Sequence, residues 1–136
     1  MGEPNQENKM RKFIFAAMLA IAGSSQVQAQ DAAAGEKVFG VCKMCHQIGE
    51  TAKNAVGPQL NGLIGRKSGT VAGYSYSAAN KDSGITWDEA TFREYIKDPK
   101  AKVPGTKMIY VGLKDEQKTN DLVAFLKQFD AEGKKK

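Results

Sequence analysis

Two cysteines, a single histidine and five methionines are the side chains of this 136-residue sequence best suited to hold a reactive group. Cys42-Lys43-Met44-Cys45-His46 arranges the first three as C-x-x-C-H, the spacing that attaches a c-type haem covalently. At helical spacing the two sulfurs lie on one face about one turn apart, so both reach one porphyrin edge as thioethers. His46 follows at once, with its imidazole placed to ligate the iron. Zinc would need a fourth ligand after Cys42, Cys45 and His46, and adjacent Cys45 and His46 chelate awkwardly. A Cys42–Cys45 redox disulfide is the remaining alternative; thioredoxin-like chemistry expects a βαβ pattern nearby, and no such alternation is present. Intact mass of the mature chain distinguishes the two.

A second axial ligand follows by elimination. There is no other histidine. Met1, Met10 and Met18 precede a predicted cleavage point, and Met44 sits between the two tethers, which leaves Met108 in Val103-Pro104-Gly105-Thr106-Lys107-Met108. A lone methionine is usually core filler, but a thioether opposite histidine is the ligation that raises a haem potential for electron transfer. An iron left five-coordinate, open to peroxide, nitric oxide or carbon monoxide, is the rival arrangement, and a lysine ligand is a third.

Positioning these groups falls to a few helices and much loop. Ala32 to Val41 reads as a helix leading into the cysteine motif, and 47–84 is rich in Gly, Ser and Asn with weak periodicity, as expected of loops and short turns organised by a bound group. Thr86-Trp87-Asp88-Glu89 reads as a capping box opening a helix with Phe92, Tyr95 and Ile96 on one face, ending before Pro99. A last helix spans about Asp115 to Phe129, with Leu122, Phe125, Leu126 and Phe129 as its stripe. Residues 132–136, with Lys134, Lys135 and Lys136, are expected to fray. No repeat, phosphate loop or convincing strand set appears.

The chain also carries an address. Lys9, Arg11 and Lys12 precede an apolar run from Phe13 to Ala22, and Val27-Gln28-Ala29 suits signal peptidase. Ten helical residues cover about 15 Å, half a bilayer's hydrocarbon core, so the segment reads as a signal peptide cleaved after Ala29 rather than as a stable membrane anchor. Translation starting at Met10 instead of Met1 would leave the mature chain unchanged. The expected organisation is a signal peptide at 1–29, a single domain at 30–131 and a basic tail at 132–136. Cleavage removes three basic and two acidic residues, leaving 17 basic against 13 acidic in the exported chain. That excess favours acidic partners and is too thin for a dedicated nucleic-acid binder.

Residues 31–130 closely resemble class I cytochrome c, particularly the short bacterial forms similar to the mitochondrial carrier. Beyond the cysteine motif the resemblance rests on Val56-Gly57-Pro58-Gln59-Leu60, Gly65-Arg66-Lys67, Asn80, Gly84-Ile85-Thr86-Trp87, Tyr95 and Pro104-Gly105-Thr106-Lys107-Met108. It implies an all-α class I cytochrome c fold: about three main helices, short helical turns and loops wrapped around one covalent haem c. It implies that the Pro58 carbonyl accepts from His46 Nδ1, and that Tyr76 and Trp87 bond a buried haem propionate with Arg66 nearby. Asn80, Tyr95 and Thr106 would form the polar network behind Met108. Gly35, Phe39, Leu122 and Phe125 resemble the close crossing of the terminal helices. Lys37, Lys53, Lys100, Lys107 and Lys114 match the family's docking lysines, whereas Val41, Ala55, Ala101 and Asp115 stand where the mitochondrial relative has lysine, so the basic ring is thinner. The function expected is that of a monomeric periplasmic electron carrier, not an enzyme, moving single electrons between membrane redox complexes. Such partners are a cytochrome bc-type complex and a terminal oxidase or photosynthetic reaction centre, met through their acidic patches.

Overall fold

Gly35 sets the frame of the molecule, because a Cβ at this position would lie 1.9 Å from the Asp121 carbonyl oxygen and 2.8 Å from Phe125 Cβ. The computed structural model describes residues 30–136, so the expected signal peptide lies outside the described residues. Gly35 belongs to α1, Ala32–Phe39, which crosses α5, Glu116–Lys127, at that point. Only a residue without a side chain lets the two backbones approach so closely. Phe39 then stacks on Phe125 with ring centroids 5.1 Å apart, and Leu122, Val123 and Leu126 are buried around them. The Asp121 carboxylate, itself buried, accepts from the Asp31 backbone N–H at 3.0 Å and from Gln117 Nε2 at 2.8 Å, which ties the start of α1 to the middle of α5.

Both terminal helices begin as their sequences dictate. The Asp31 side chain accepts from the N–H groups of Ala33 and Ala34, and the Asp115 side chain accepts from that of Lys118. Each carboxylate satisfies donors that a helix start leaves free. Between them lie α2, Ala78–Asp82, α3, Glu89–Lys97, and α4, Pro99–Lys102. Helix α3 buries Phe92, Tyr95 and Ile96, the face that its periodicity predicts.

The capping box at Thr86 is not formed. Asp88 is the cap, its carboxylate accepting from Thr91 N–H at 2.8 Å, and Glu89 is the first helical residue. The backbone at 85–87 is already engaged with 65–68. Trp87 N–H donates to Arg66 O, Gly65 N–H to Trp87 O and Ser68 N–H to Ile85 O, with Lys67 and Thr86 bridged. Aspartate two residues on is an equally good cap and is free to serve. Pro99, expected only to end α3, also starts α4, where its missing N–H costs nothing.

Residues 132–136, expected to fray, are folded back onto the end of the last helix. Lys136 N–H donates to Gln128 O at 2.8 Å, Phe129 and Lys135 are bridged, and Gly133 is buried. Among the described residues regular structure is helical, the only strand-like pairings being isolated bridges, and no helix is long and apolar enough to cross a membrane.

Candidate haem site

The segment after α1 tightens into a 3₁₀ turn, Cys42–Met44, in which Cys45 N–H and His46 N–H both donate to the Cys42 carbonyl, at 3.1 and 2.9 Å. This turn sets Cys42 and Cys45 in succession and delivers His46 directly behind them. The two cysteines are half-buried and form no disulfide with each other. Burial pushes the Cys42 thiol up to about 11, so the unmodified side chain stays protonated at neutral pH.

His46 is fixed by its neighbours. Its Nδ1 stands 2.7 Å from the Pro58 carbonyl oxygen, which can only accept, so Nδ1 carries the proton and Nε2 keeps its lone pair. Burial holds the imidazole below its ordinary pKa, partly offset by the Pro58 bond, and so favours the neutral ring that a metal needs. Gly57, to which no role was attached beyond its place in the Val-Gly-Pro run, packs against the ring: a Cβ there would lie 2.3 Å from His46 Cε1. The Gly57 N–H donates to Cys45 O at 2.8 Å, closing the loop onto the motif.

Met108 is held from the other end of the sequence. Tyr95 Oη, projecting from α3, donates to Met108 Sδ at 3.2 Å and lies 3.4 Å from Thr106 Oγ1. Thr106 Oγ1 accepts from Met108 N–H at 3.3 Å. Ser77, unsuspected from sequence, caps α2 and orients Asn80, accepting from its N–H and donating to its Oδ1. Tyr95, Thr106 and Met108 are thus one hydrogen-bonded cluster, whereas the hydrogen bonds of Asn80 go to Ser77, Ser68 and Ser83. Burial pushes the Tyr95 phenol up, with Thr106 and the nearby Asn80 side chain pulling the other way.

Arg66 and Tyr76 form a second polar group. Arg66 Nη1 donates to the carbonyls of Gln59 and Asn61, at 3.1 and 2.9 Å, and Tyr76 accepts from Val71 N–H at 3.0 Å. The half-buried guanidinium has no carboxylate within 4 Å among the described residues, and burial lowers its pKa while Tyr76 raises it. Trp87 is buried with its ring 4.7 Å from that of Tyr95, so packing accounts for its position. All five lysines of the expected ring are exposed. Lys107 Nζ donates to Ser75 O and Lys114 Nζ to Lys97 O, so two of them also brace the backbone. Met44, Ile109 and Val111, beside these groups in sequence, are 79%, 84% and 85% exposed.

The residues fit a covalent haem: two thiols one turn apart, a neutral imidazole with a free Nε2, a thioether held by a hydroxyl, and a cation without a counter-charge where an anionic group would be welcome. A family model described as Cytochrome c matches residues 32–130. Cytochrome c2 of Blastochloris viridis is 61% identical over 127 residues, which span 93% of this chain and all of that one. Cytochrome c-550 of Bradyrhizobium diazoefficiens is 67% identical over 103 residues, 76% of each chain. Among solved structures, cytochrome cH from Methylobacterium extorquens superposes with a TM-score of 0.68 at 50% identity, covering 72% of this chain and 98% of that one.

Proposed function

Since the chain belongs to the cytochrome c family, whose members carry haem c covalently, we propose that it is a soluble periplasmic electron carrier with one haem, exported by residues 1–29 and working as a monomer. Cys42 and Cys45 would tether the haem through thioethers, and the His46 imidazole and the Met108 thioether would hold its iron. The bound haem supplies a one-electron couple at its iron. The chain's own part is to hold both ligands still. Pro58 fixes the His46 tautomer and strengthens its donation, as partners of metal-bound histidines generally do. Arg66, Tyr76 and Trp87 would receive the propionates, whose charge would offset the cost of the half-buried guanidinium.

The observation that carries this reading is the Tyr95 hydroxyl on Met108 Sδ. A thioether oriented by a buried donor and backed by Thr106 is a ligand prepared in advance. With Met108 bound, the iron would have no open position of the kind that a peroxidase or gas sensor needs. Docking is assigned to Lys37, Lys53, Lys100, Lys107 and Lys114 around an apolar rim that includes Ile109 and Val111, an arrangement suited to brief contacts with acidic membrane redox complexes. A cytochrome bc-type donor and a terminal oxidase or reaction centre as acceptor are the partners of matching chemistry.

Absorption spectra of the haem-loaded protein, oxidised, reduced, and reduced under carbon monoxide, test the proposal. A low-spin c-type spectrum that carbon monoxide leaves unchanged is expected. A prompt shift on adding the gas would mean an open iron and would overturn both the Met108 ligation and the carrier function.

A further inference from the structure

The tail beyond α5 folds back on itself. The Asp130 carboxylate accepts from the N–H groups of Glu132 and Lys134, at 3.0 and 2.9 Å, while Gly133 N–H donates to Asp130 O and Asp130 N–H to Lys134 O, both at 3.0 Å. Lys136 N–H returns to Gln128 O, and the Lys135 ammonium stands 5.7 Å over the Phe129 ring. The result is a hook with Gly133 at its tip.

Gly133 has φ +81°, and a Cβ on it would lie 2.2 Å from Gly49 O and 2.7 Å from Asn61 Nδ2. Those two residues are clamped to each other. Asn61, 7% exposed, accepts at Oδ1 from Gly49 N–H at 2.8 Å and donates from Nδ2 to Gly49 O at 2.9 Å. The loop that this clamp closes carries Pro58, and Leu60 N–H adds a bond to Gln47 O at 2.9 Å beside His46.

We propose that the C-terminal hook is a positioning element for His46: Gly133, seated on the Gly49–Asn61 clamp, holds the 47–61 loop closed and so keeps the Pro58 carbonyl on His46 Nδ1. The redox part of this inference rests on the haem reading above; the closure of the loop does not. Gly133 acts through Asn61 and Pro58 and touches neither thiol nor imidazole. An alanine there meets both the overlap and an unfavourable left-handed backbone, so the hook must lift. A loosened Pro58 bond makes the imidazole a weaker donor, which disfavours the oxidised iron and raises the reduction potential.

The test compares haem-loaded wild type with Gly133→Ala, with a chain ending at Ala131, and with Lys134→Gln, whose side chain takes no part in the hook's bonding. Hydrogen exchange of the Gly49 and Leu60 amides and of the His46 Nδ1 proton is followed by NMR in the reduced state, alongside the reduction potential. Gly133→Ala and the shortened chain should exchange at least tenfold faster at these three sites, leave the Val123 amide unaffected and show a raised potential, with Lys134→Gln matching wild type. Unchanged exchange, faster exchange with no movement of the potential, an equal shift in Lys134→Gln, or a shortened chain that no longer folds would each overturn the proposal. A wild type without a haem spectrum would sink the haem reading instead, while the two amides still report on closure.

Discussion

Tyr95 shows how much one hydroxyl does at the residue scale. It is buried, donates to Met108 Sδ, and is backed by Thr106. Tyr95→Phe removes the donor while keeping the ring against Trp87. Losing one such bond costs about 1 kcal/mol, to be read by denaturant unfolding. On the proposed ligation the sulfur, no longer sharing density with a proton, would donate more strongly to the iron, so a potentiometric titration should show a lower potential. The raised phenol pKa adds a pH signature. A group whose folded pKa lies above its unfolded value contributes stability below about pH 10, lost as pH rises through the raised value. Wild type should therefore lose stability on that alkaline limb, and Tyr95→Phe should be flatter there; parallel curves would count against the assignment. Cys42, Cys45 and His46 were legible because their chemistry is written within five consecutive residues. Pro58 on His46 and Tyr95 on Met108 join positions distant in sequence, which no local pattern reveals, and they were reached through family resemblance alone. Gly57 and Ser77 act by absence of a side chain and by orienting a neighbour, roles that leave little trace in a single sequence.

At the scale of elements, stability concentrates where α1 crosses α5. Gly35→Ala places a methyl group 1.9 Å from the Asp121 carbonyl oxygen, a backbone atom that cannot yield without separating the helices. Overpacking of a core costs about 1–3 kcal/mol, and an overlap with backbone belongs at the upper end. Thermal unfolding should show a drop of about 10 °C or more for a domain of this size, and a change of only a degree or two would mean that the crossing adjusts freely. Helix α3 is tied to α5 more lightly. Glu89 pairs with Lys127 and, at 3.6 Å, with Arg93. The hydrogen bond from Lys127 holds its carboxyl below the usual range, followed by the charges of Lys127 and Arg93, with burial opposing. A depressed carboxyl contributes stability above its unfolded pKa and loses it as pH falls through the folded value. Partly exposed pairs of this kind contribute about 0.2–1 kcal/mol. Glu89→Gln should thus be slightly less stable than wild type at pH 7 in low salt, with the difference vanishing near pH 3 or in high salt; a gap persisting there would mean lost packing instead of lost charge. Helices α1, α3 and α5 were legible from their apolar stripes. The start of α3 was misread because a threonine and an aspartate compete as caps, and the pairing of 85–87 with 65–68 decides between them. The tail was misread because lysine-rich composition predicts solvation, while Gly133 earns its place by a contact with Gly49 far away in sequence.

For the whole molecule, the quantity that matters is how a modest positive charge meets a partner. Residues 30–136 carry 17 basic and 13 acidic residues, an excess too small to act through net charge alone. Placement must therefore do the steering, and exposed charges separated by more than about 8–10 Å are screened at physiological salt. Lys107 and Lys114 are poor probes of it, since their ammonium groups brace the carbonyls of Ser75 and Lys97 and replacing them would disturb the backbone. Lys53 and Lys100 are exposed with no such duty, and Lys118, equally exposed on α5, lies outside the expected ring. Electrostatic steering raises association rates by about 10–10³-fold and falls steeply with ionic strength. The second-order rate of electron exchange with an acidic redox partner, measured by stopped flow, should accordingly fall several-fold as salt is raised. At low salt Lys53→Glu and Lys100→Glu should each slow it well beyond Lys118→Glu, although all three change the net charge identically. A rate indifferent to salt would remove the lysine ring from the account; equal slowing by all three would assign steering to overall charge and leave the docking face without a location.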